Sequence, residues 1–442
     1  MREYILSLQH FAYVSADTGA GSVVNYAGGD TPSNAGTFNT LTGSPVSTGD
    51  LSVEMKTFYD KALIELADPK LVHDQFAVKK PIPRNGGKTI EFRKFSKLPK
   101  ALTAITEGVT PKGNKLRATS ITAQVDQYGD YIEQTDLLEL TAIDNTIVEA
   151  TKELANQAAL TLDTVTRDVL NAELKVVYAK KDNGGGSYSA TTSRADITSA
   201  CPMTVDDVFL MATKLKSADA PKIGDSYVAI IHPHVALQLM REAGDTWLDI
   251  QKYASPDNIL KGEIGKLGGV RFVESTEAKV FGPAEIAGGF SRLTVKTGTT
   301  DDDIVVKEAV PSATFTDGLK VWVNGVEKTL QSITYGADGS TLHFSASMTV
   351  TANQLICGQG AGKDGSAVYS TVFLGEGAYV VTELTGGGLQ HIVKQLGYGN
   401  DPLNQRSSIG WKATKVAKIR IPEYIWRFES GSKNFSATEE SN

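Results

Sequence analysis

Two short segments decide the fold, KTIEFRKF at 88–95 and LRATSITAQVDQY at 116–128. In both segments apolar and polar side chains alternate, which predicts β-strands. The stretch between them contains Pro and Gly, so the two strands are predicted to form one long β-hairpin. The hairpin has too few apolar residues to be stable as an isolated pair of strands. We therefore expect it to become ordered only on another surface.

The hairpin is basic, although the chain as a whole is acidic. Between Lys79 and Arg117 eleven Lys and Arg stand against two Glu, a local charge of +9, whereas the 442 residues carry a net charge of −7. The overall charge argues against a protein that coats nucleic acid or an anionic membrane. Three interpretations of the basic hairpin remain: contact with another subunit, a solvated surface, or nucleic-acid binding. Subunit contact is favoured, because an acidic helix follows in the same chain.

This helix is predicted to begin at Asp144, its N-cap, and to end at Leu174, because apolar residues recur at helical spacing between them. Eight acidic residues stand against two basic ones between Asp136 and Glu173, a local charge of −6. Complementary charges on two copies set the register of their contact. The basic contact candidates are Arg84, Lys88, Arg93, Lys94, Lys97, Lys100, Lys112 and Lys115. The acidic candidates on the helix are Glu149, Glu153, Asp163 and Asp168.

Other segments differ in composition and in the spacing of their apolar residues. Residues 17–50 are mostly small and polar, which predicts an arm that cannot become ordered alone. A helix is predicted over 51–68. From 202 to 296 helical and strand patterns alternate, as in α/β structure. Residues 297–365 lack helical periodicity and contain Asn324-Gly325, a typical hairpin turn, which predicts a small all-β module. The chain closes with a long alternating strand predicted at 407–430, followed by a polar tail.

The pair His232 and His234 raises the possibility of metal chemistry. A metal site needs three or four ligands that converge, and the other histidines of the chain are isolated in sequence. Pro233 suits the first turn of a helix, so we predict a strand-to-helix boundary here. The competing hypothesis is a metal-dependent hydrolase that uses both histidines and an acid such as Asp225.

No other motif predicts catalysis. NGGKT at 85–89 resembles the end of a phosphate-binding loop, but Ile82 stands where such a loop needs glycine and a strand pattern follows. Cys201 and Cys357 are too far apart in sequence for metal-ligand spacing. We expect no enzyme activity, no cofactor and no bound metal. We also expect no signal peptide and no membrane span, because no sufficiently long apolar segment occurs.

Four segments carry a resemblance to a known family: GGKTIEFRKFSKLPKAL at 86–102, the long run at 104–145, YVAIIHPHVALQL at 227–239 and GYGNDPLNQRSSIGWKA at 397–413. Together they resemble the major capsid proteins of tailed bacteriophages, in the N4-like branch of the HK97-type fold. The resemblance implies an α+β capsid fold with these parts: an N-arm at 1–50, a P-domain at 51–201 with its E-loop at 79–124 and spine helix at 144–174, an A-domain at 202–296 and 366–402, an inserted small all-β, immunoglobulin-like domain at 297–365, and a P-domain return strand with a tail at 403–442.

The resemblance also implies a function. The chain is expected to assemble into an icosahedral shell of hexamers and pentamers that encloses double-stranded DNA by confinement. Its E-loop should lie across a neighbouring subunit. Portal, scaffold and decoration proteins are the expected partners, and the location is the virion capsid, assembled in the bacterial host cytoplasm. The competing family member is a nanocompartment shell protein. A Lys to Asn crosslink between subunits is not expected, because no motif distinguishes such a pair.

Overall fold

The computed structural model describes residues 72–136 except 97, 103, 105–106 and 109–112, and residues 146–172, 175–243, 263–311, 315–394 and 405–442. The predicted arm at 1–50 and helix at 51–68 lie outside the described residues. By internal contacts the chain divides into two units. The smaller unit holds the described residues within Val125–Thr161 and Glu383–Lys415, and the larger unit holds those within Leu71–Gln124, Leu162–Thr382 and Val416–Asn442.

The regular elements follow one another along the chain as three groups. The first group is β1 (Val78–Lys79), β2 (Thr89–Phe95), β3 (Ala118–Gln124), β4 (Asp126–Thr135), α1 (Thr146–Asn171), β5 (Val176–Tyr178), β6 (Lys181–Asp182) and β7 (Tyr188–Ser189). The second is α2 (Val205–Ser217), β8 (Tyr227–Ile231), α3 (Pro233–Ala243), β9 (Glu263–Leu267), β10 (Val270–Glu274) and β11 (Val280–Phe281). The third is β12 (Arg292–Thr294), β13 (Thr299–Val305), β14 (Leu319–Val323), β15 (Val326–Thr334), β16 (Thr341–Val350), β17 (Leu355–Gly358), β18 (Val368–Leu374), β19 (Tyr379–Thr382), β20 (Gln390–Lys394), β21 (Arg406–Ile419) and β22 (Ile425–Ser430).

The larger unit is built on a mixed sheet with the strand order β5-β22-β18-β8-β10-β9, and β11 pairs with β18. All residues of β8 and β18 are buried, which accounts for their continuous apolar sequences. Met211 of α2 and Leu239 of α3 pack with Phe272 and Phe373 of the sheet in one core. The alternation of helix and strand predicted for this part of the chain is confirmed.

Strands β12 to β17 form a separate antiparallel sheet in the order β12-β17-β14-β15-β16-β13. Its two outer strands also pair, because Val295 bridges Val306 and the N–H of Lys296 donates to the carbonyl of Val305 at 2.8 Å. The sheet is therefore closed on itself, and we call it the barrel. Its interior holds a core of its own that includes Leu330 and Phe344.

The barrel corrects one expectation and confirms another. An immunoglobulin-like domain has two sheets packed face to face, whereas here the pairing of Val295 with Val306 joins all six strands into one closed sheet. The predicted turn at Asn324-Gly325 does join β14 to β15. Both residues have positive φ, 51° and 72°, as the favoured two-residue hairpin turn requires.

In the smaller unit, the 406–415 part of β21 pairs with both β4 and β20 in antiparallel register. The indole Nε1 of Trp411 donates to Oε1 of Gln157 at 3.1 Å, and Nε2 of Gln157 donates to Asp130 at 2.6 Å. These bonds hold α1 against this part of the sheet. The long helix predicted over 144–174 is observed as α1. Its proposed cap at Asp144 lies outside the described residues.

We predict that Leu330→Ala will destabilise the barrel by about 2–5 kcal/mol, because Leu330 is fully buried and the substitution leaves a cavity. Leu355→Ala is the matched control, since Leu355 is 42% exposed, and it should change stability by less than about 0.5 kcal/mol. Hydrogen exchange of the β14–β16 amides measures the loss of stability in both variants. Equal effects of the two variants would contradict the barrel core described here.

Candidate functional site

The base of the predicted hairpin consists of β2 and β3, which pair in register from Thr89 with Gln124 to Phe95 with Ala118. One face of this base is packed against the same chain: Phe92 and Ala123 are buried with Val380. The base is thus held by the larger unit of its own subunit. The expectation that the whole hairpin becomes ordered only on another subunit is wrong for this base.

The hairpin tip comprises residues 96–117, of which 96, 98–102, 104, 107–108 and 113–117 are described, and these differ from the base. Large apolar side chains are exposed at and next to the tip: Phe95 at 58%, Leu98 at 55%, Leu102 at 86% and Leu116 at 63%. Burying one such side chain stabilises a protein by about 1.5–3 kcal/mol. Four large apolar side chains are thus exposed in or next to one hairpin end, and covering them with a partner surface would be favourable.

Most of the basic candidates are exposed residues of the same 79–124 segment. Arg84, Lys88, Arg93, Lys100 and Lys115 are exposed, and Lys97 and Lys112 lie outside the described residues. Lys94 is occupied within the chain, because its ammonium donates to Glu423 at 2.7 Å. The same hydrogen bond lowers the pKa of Glu423 below its ordinary value. Lys94 is therefore less available to a neighbouring subunit than the other described candidates.

The acidic candidates on α1 do not share one environment. Glu149, Glu153 and Asp168 are exposed, and two of them have a basic neighbour on the helix, Lys152 for Glu149 and Arg167 for Asp168. Their exposure leaves them accessible to a partner.

Asp163 is a correction to the predicted set, because its side chain is fully buried. Its carboxylate accepts the backbone N–H of His73 at 2.8 Å and lies 2.6 Å from the ring Nδ1 of His73. Nearby, the hydroxyl of Thr166 donates to Asp74 at 2.6 Å. Asp163 therefore joins α1 to the segment that precedes the hairpin, and it cannot face a neighbouring subunit.

The His232-Pro233-His234 segment is the predicted boundary between strand and helix: β8 ends at Ile231 and α3 begins at Pro233. His232 is buried, and burial together with neighbouring His234 lowers its pKa to about 4. The ring of His234 stacks on Phe435 with centroids 3.9 Å apart, and its Nδ1 lies 3.0 Å from the hydroxyl of Tyr369. The two histidines are packed among aromatic side chains.

The geometry gives no support to the hydrolase hypothesis. Asp225 is 81% exposed and pairs with Lys266 at 2.6 Å. In the described ranges, no three His, Cys, Asp or Glu side chains gather into a group that could hold a metal ion. Cys201 and Cys357 are free and buried, and burial raises the pKa of Cys357 to about 12. A thiol with this pKa is a poor nucleophile at neutral pH.

The structure explains the segment that resembles a phosphate-binding loop. The NGGKT segment forms a turn in which Asn85 and Gly87 have positive φ, and it leads into β2 instead of a helix. A phosphate-binding loop would open a helix there.

Among the described helices, none is long and apolar enough to cross a membrane.

Sequence patterns missed the division of the hairpin into a packed base and an exposed tip. Phe92 and Leu102 are both apolar residues in a basic segment, and Phe92 is buried because it shares a core with residues distant in sequence such as Val380. The one available signal was the alternation in 88–95, which places Ile90 and Phe92 on the same face.

Comparison with solved structures identifies similar folds. The capsid of Ralstonia phage GP4 matches with a TM-score of 0.51 and 12% identity, covering 89% of this chain and 96% of that chain. The capsid of cyanophage P-SCSP1u matches at a TM-score of 0.48 and 10% identity, covering 89% and 94%. A virus-like particle from Pyrococcus furiosus matches at 0.38 and 9%, covering 85% and 100%. No family model and no curated protein matches the sequence.

The match to the GP4 capsid chain extends over most of both chains, so this chain shares its fold. The mixed α+β architecture with few helices agrees with the HK97-type capsid fold that the sequence resemblance implied.

We predict that stability will fall as the pH falls from 6.5 to 4. The pKa of His232 is lower in the folded chain, so the unfolded chain binds more protons in this range. The contribution of neutral His232 to the free energy of unfolding is fully present above pH 6.5, and about 3 kcal/mol of it is lost near pH 4. Urea unfolding at several pH values measures it. His232→Gln should remove this part of the pH dependence, whereas His343→Gln should retain it because His232 is intact. Identical pH profiles for wild type and His232→Gln would contradict the assignment.

Proposed function

We propose that this chain is the major capsid protein of a tailed bacteriophage, of the N4-like branch of the HK97-type fold. Copies would assemble as hexamers and pentamers into an icosahedral shell around double-stranded DNA, without catalysis. The observation that carries this proposal is the hairpin tip, whose exposed leucines Leu98, Leu102 and Leu116 have no cover within the described part of their own chain. The fold shared with the capsid of Ralstonia phage GP4 supports it.

Each part of the chain then has a role. The hairpin at 79–124 acts as the E-loop, α1 as the spine helix of the P-domain, and residues 202–296 together with 366–402 as the A-domain. Residues 1–50 act as the N-arm. The barrel is a surface module of the shell. Portal, scaffold and decoration proteins complete the particle, which forms in the host cytoplasm.

The hairpin contact combines two physical effects. Apolar tip side chains supply binding energy when a neighbouring subunit covers them. The surrounding Lys and Arg steer the encounter toward acidic surfaces such as the exposed Glu149 and Glu153 of another copy. Because closed symmetry repeats each contact many times, modest contacts are sufficient for a stable shell.

The acidic balance of the chain fits the proposed cargo. With a net charge of −7, the chain would not bind phosphates strongly, since strong binding requires many Lys and Arg contacts to the DNA backbone. DNA is then held by confinement and can leave when the shell opens.

We predict that Leu102→Asp will abolish shell assembly, because it places a charge in the apolar contact while leaving the subunit folded. Val326→Asp is the matched control: Val326 is 56% exposed on the barrel and should assemble as wild type does. Electron microscopy and light scattering of purified protein distinguish shells from free subunits. Normal shells from Leu102→Asp would refute the tip contact.

We further predict that combined Lys88→Glu, Lys100→Glu and Lys115→Glu will slow assembly about tenfold at low salt, by reversing electrostatic steering. The difference should shrink near 1 M salt, where charges are screened within about 3 Å. The control is a triple Lys→Glu variant on the barrel with the same change in net charge, at Lys296, Lys307 and Lys320. Light scattering gives the rates. If both triple variants assemble equally slowly, net charge and not the hairpin controls the rate.

A further inference from the structure

The barrel is joined to the rest of the larger unit at its root, where the chain enters before Arg292 and leaves after Gly358. The two crossing segments are close to each other: the N–H of Ala284 donates to the carbonyl of Gln359 at 2.7 Å, and the N–H of Gly358 donates to that of Ser291 at 3.0 Å. The backbone of Ala284 leaves no room for a side chain at Gly358. The root is therefore narrow.

Residues 431–442, which we call the strap, follow the last strand β22 and run to this root. The strap is first fixed to the main core. The N–H of Gly431 donates to the carbonyl of Cys201 at 2.7 Å, and the carbonyl of Ser436 accepts the N–H of Ala367, also at 2.7 Å. Phe435 adds the stacking contact with His234. The start of the strap is thus held by both backbone and aromatic contacts.

At the root, the strap meets the entering segment through charged groups. The carboxylate of Glu440 accepts the hydroxyl of Ser291 at 2.8 Å and pairs with the guanidinium of Arg292. The same guanidinium donates from Nη2 to the carbonyl of Glu439 at 2.5 Å and from Nε to the carbonyl of Gly365 at 3.0 Å. Arg292 therefore joins three segments at once: the entrance to the barrel, the exit from it, and the strap.

Beyond the root, the strap is fixed again. The side chain of Asn442 accepts the N–H of Val280 at 2.9 Å and donates to the carbonyl of Ala278 at 3.0 Å. The backbone carbonyl of Asn442 accepts a hydrogen bond from Arg167 of α1 at 3.3 Å. The strap is consequently held on both sides of its contact with the barrel root.

From these contacts we infer that the strap is a conformational brace that locks the barrel root. A module attached through two adjacent crossings has little resistance to local opening at that point. Charge-assisted hydrogen bonds from a segment fixed on both sides supply the missing constraint. The brace acts within one subunit, so it does not depend on shell assembly or on the proposed capsid function.

The test measures hydrogen exchange in the full-length protein by mass spectrometry. Glu440→Gln removes the charge and keeps the shape of the side chain, and deletion of 437–442 removes the root contact entirely. The expected result is exchange about tenfold faster in peptides covering 283–292 and 358–366, with unchanged exchange in β14, β15 and β8. Asp303→Asn is the matched control, because Asp303 is similarly exposed and pairs with His343 on the barrel itself. It should leave exchange at the root unchanged.

Two results would overturn the inference. Unchanged root exchange in Glu440→Gln would show that the strap does not constrain the root. Equal acceleration at the root and in β14, β15 and β8 would show a general loss of stability instead of a local brace. If the deletion variant fails to fold, Glu440→Gln alone decides between these results, since it changes one atom type at a partly exposed side chain.

Discussion

Burial of one half of a β-hairpin and exposure of the other half is the constraint on which the rest of this molecule depends. Phe92 and Ala123 pack against Val380 and hold the hairpin base on its own subunit. Leu102, which is 86% exposed, has no such cover from the described residues. A hairpin anchored in this way keeps its apolar end in the solvent. Part of the conformational entropy of the hairpin is therefore lost on folding, before any partner binds.

The charged residues also fall into two groups, those that pair within the subunit and those that remain exposed. Lys94 and Asp163 both looked like intersubunit groups in the sequence, yet they bond to Glu423 and His73 of the same chain. Buried ionisable groups are paired because an unpaired one would be costly. The exposed members, such as Lys100 and Glu153, remain for contact with a partner. Internal pairs therefore shape the subunit, and we propose that the exposed charges direct its association.

Local patterns predicted local structure well. Pro233 marked the start of α3, Asn324-Gly325 marked a hairpin turn, and the apolar run at 227–231 marked a buried strand. What the sequence could not reveal depends on residues far apart in the chain. The partners Asp163 and His73 are 90 residues apart, and Glu440 and Arg292 are 148 apart. The closing of the barrel likewise depends on a register between strands that no turn residue encodes.

We propose that another copy of the chain completes the hairpin tip. Electron cryomicroscopy of the purified protein at assembly concentration shows directly whether it does. We expect closed shells in which Leu98, Leu102 and Leu116 of each subunit are buried against an adjoining subunit. Uniform monomers, or shells in which these three side chains remain in solvent, would contradict this proposal.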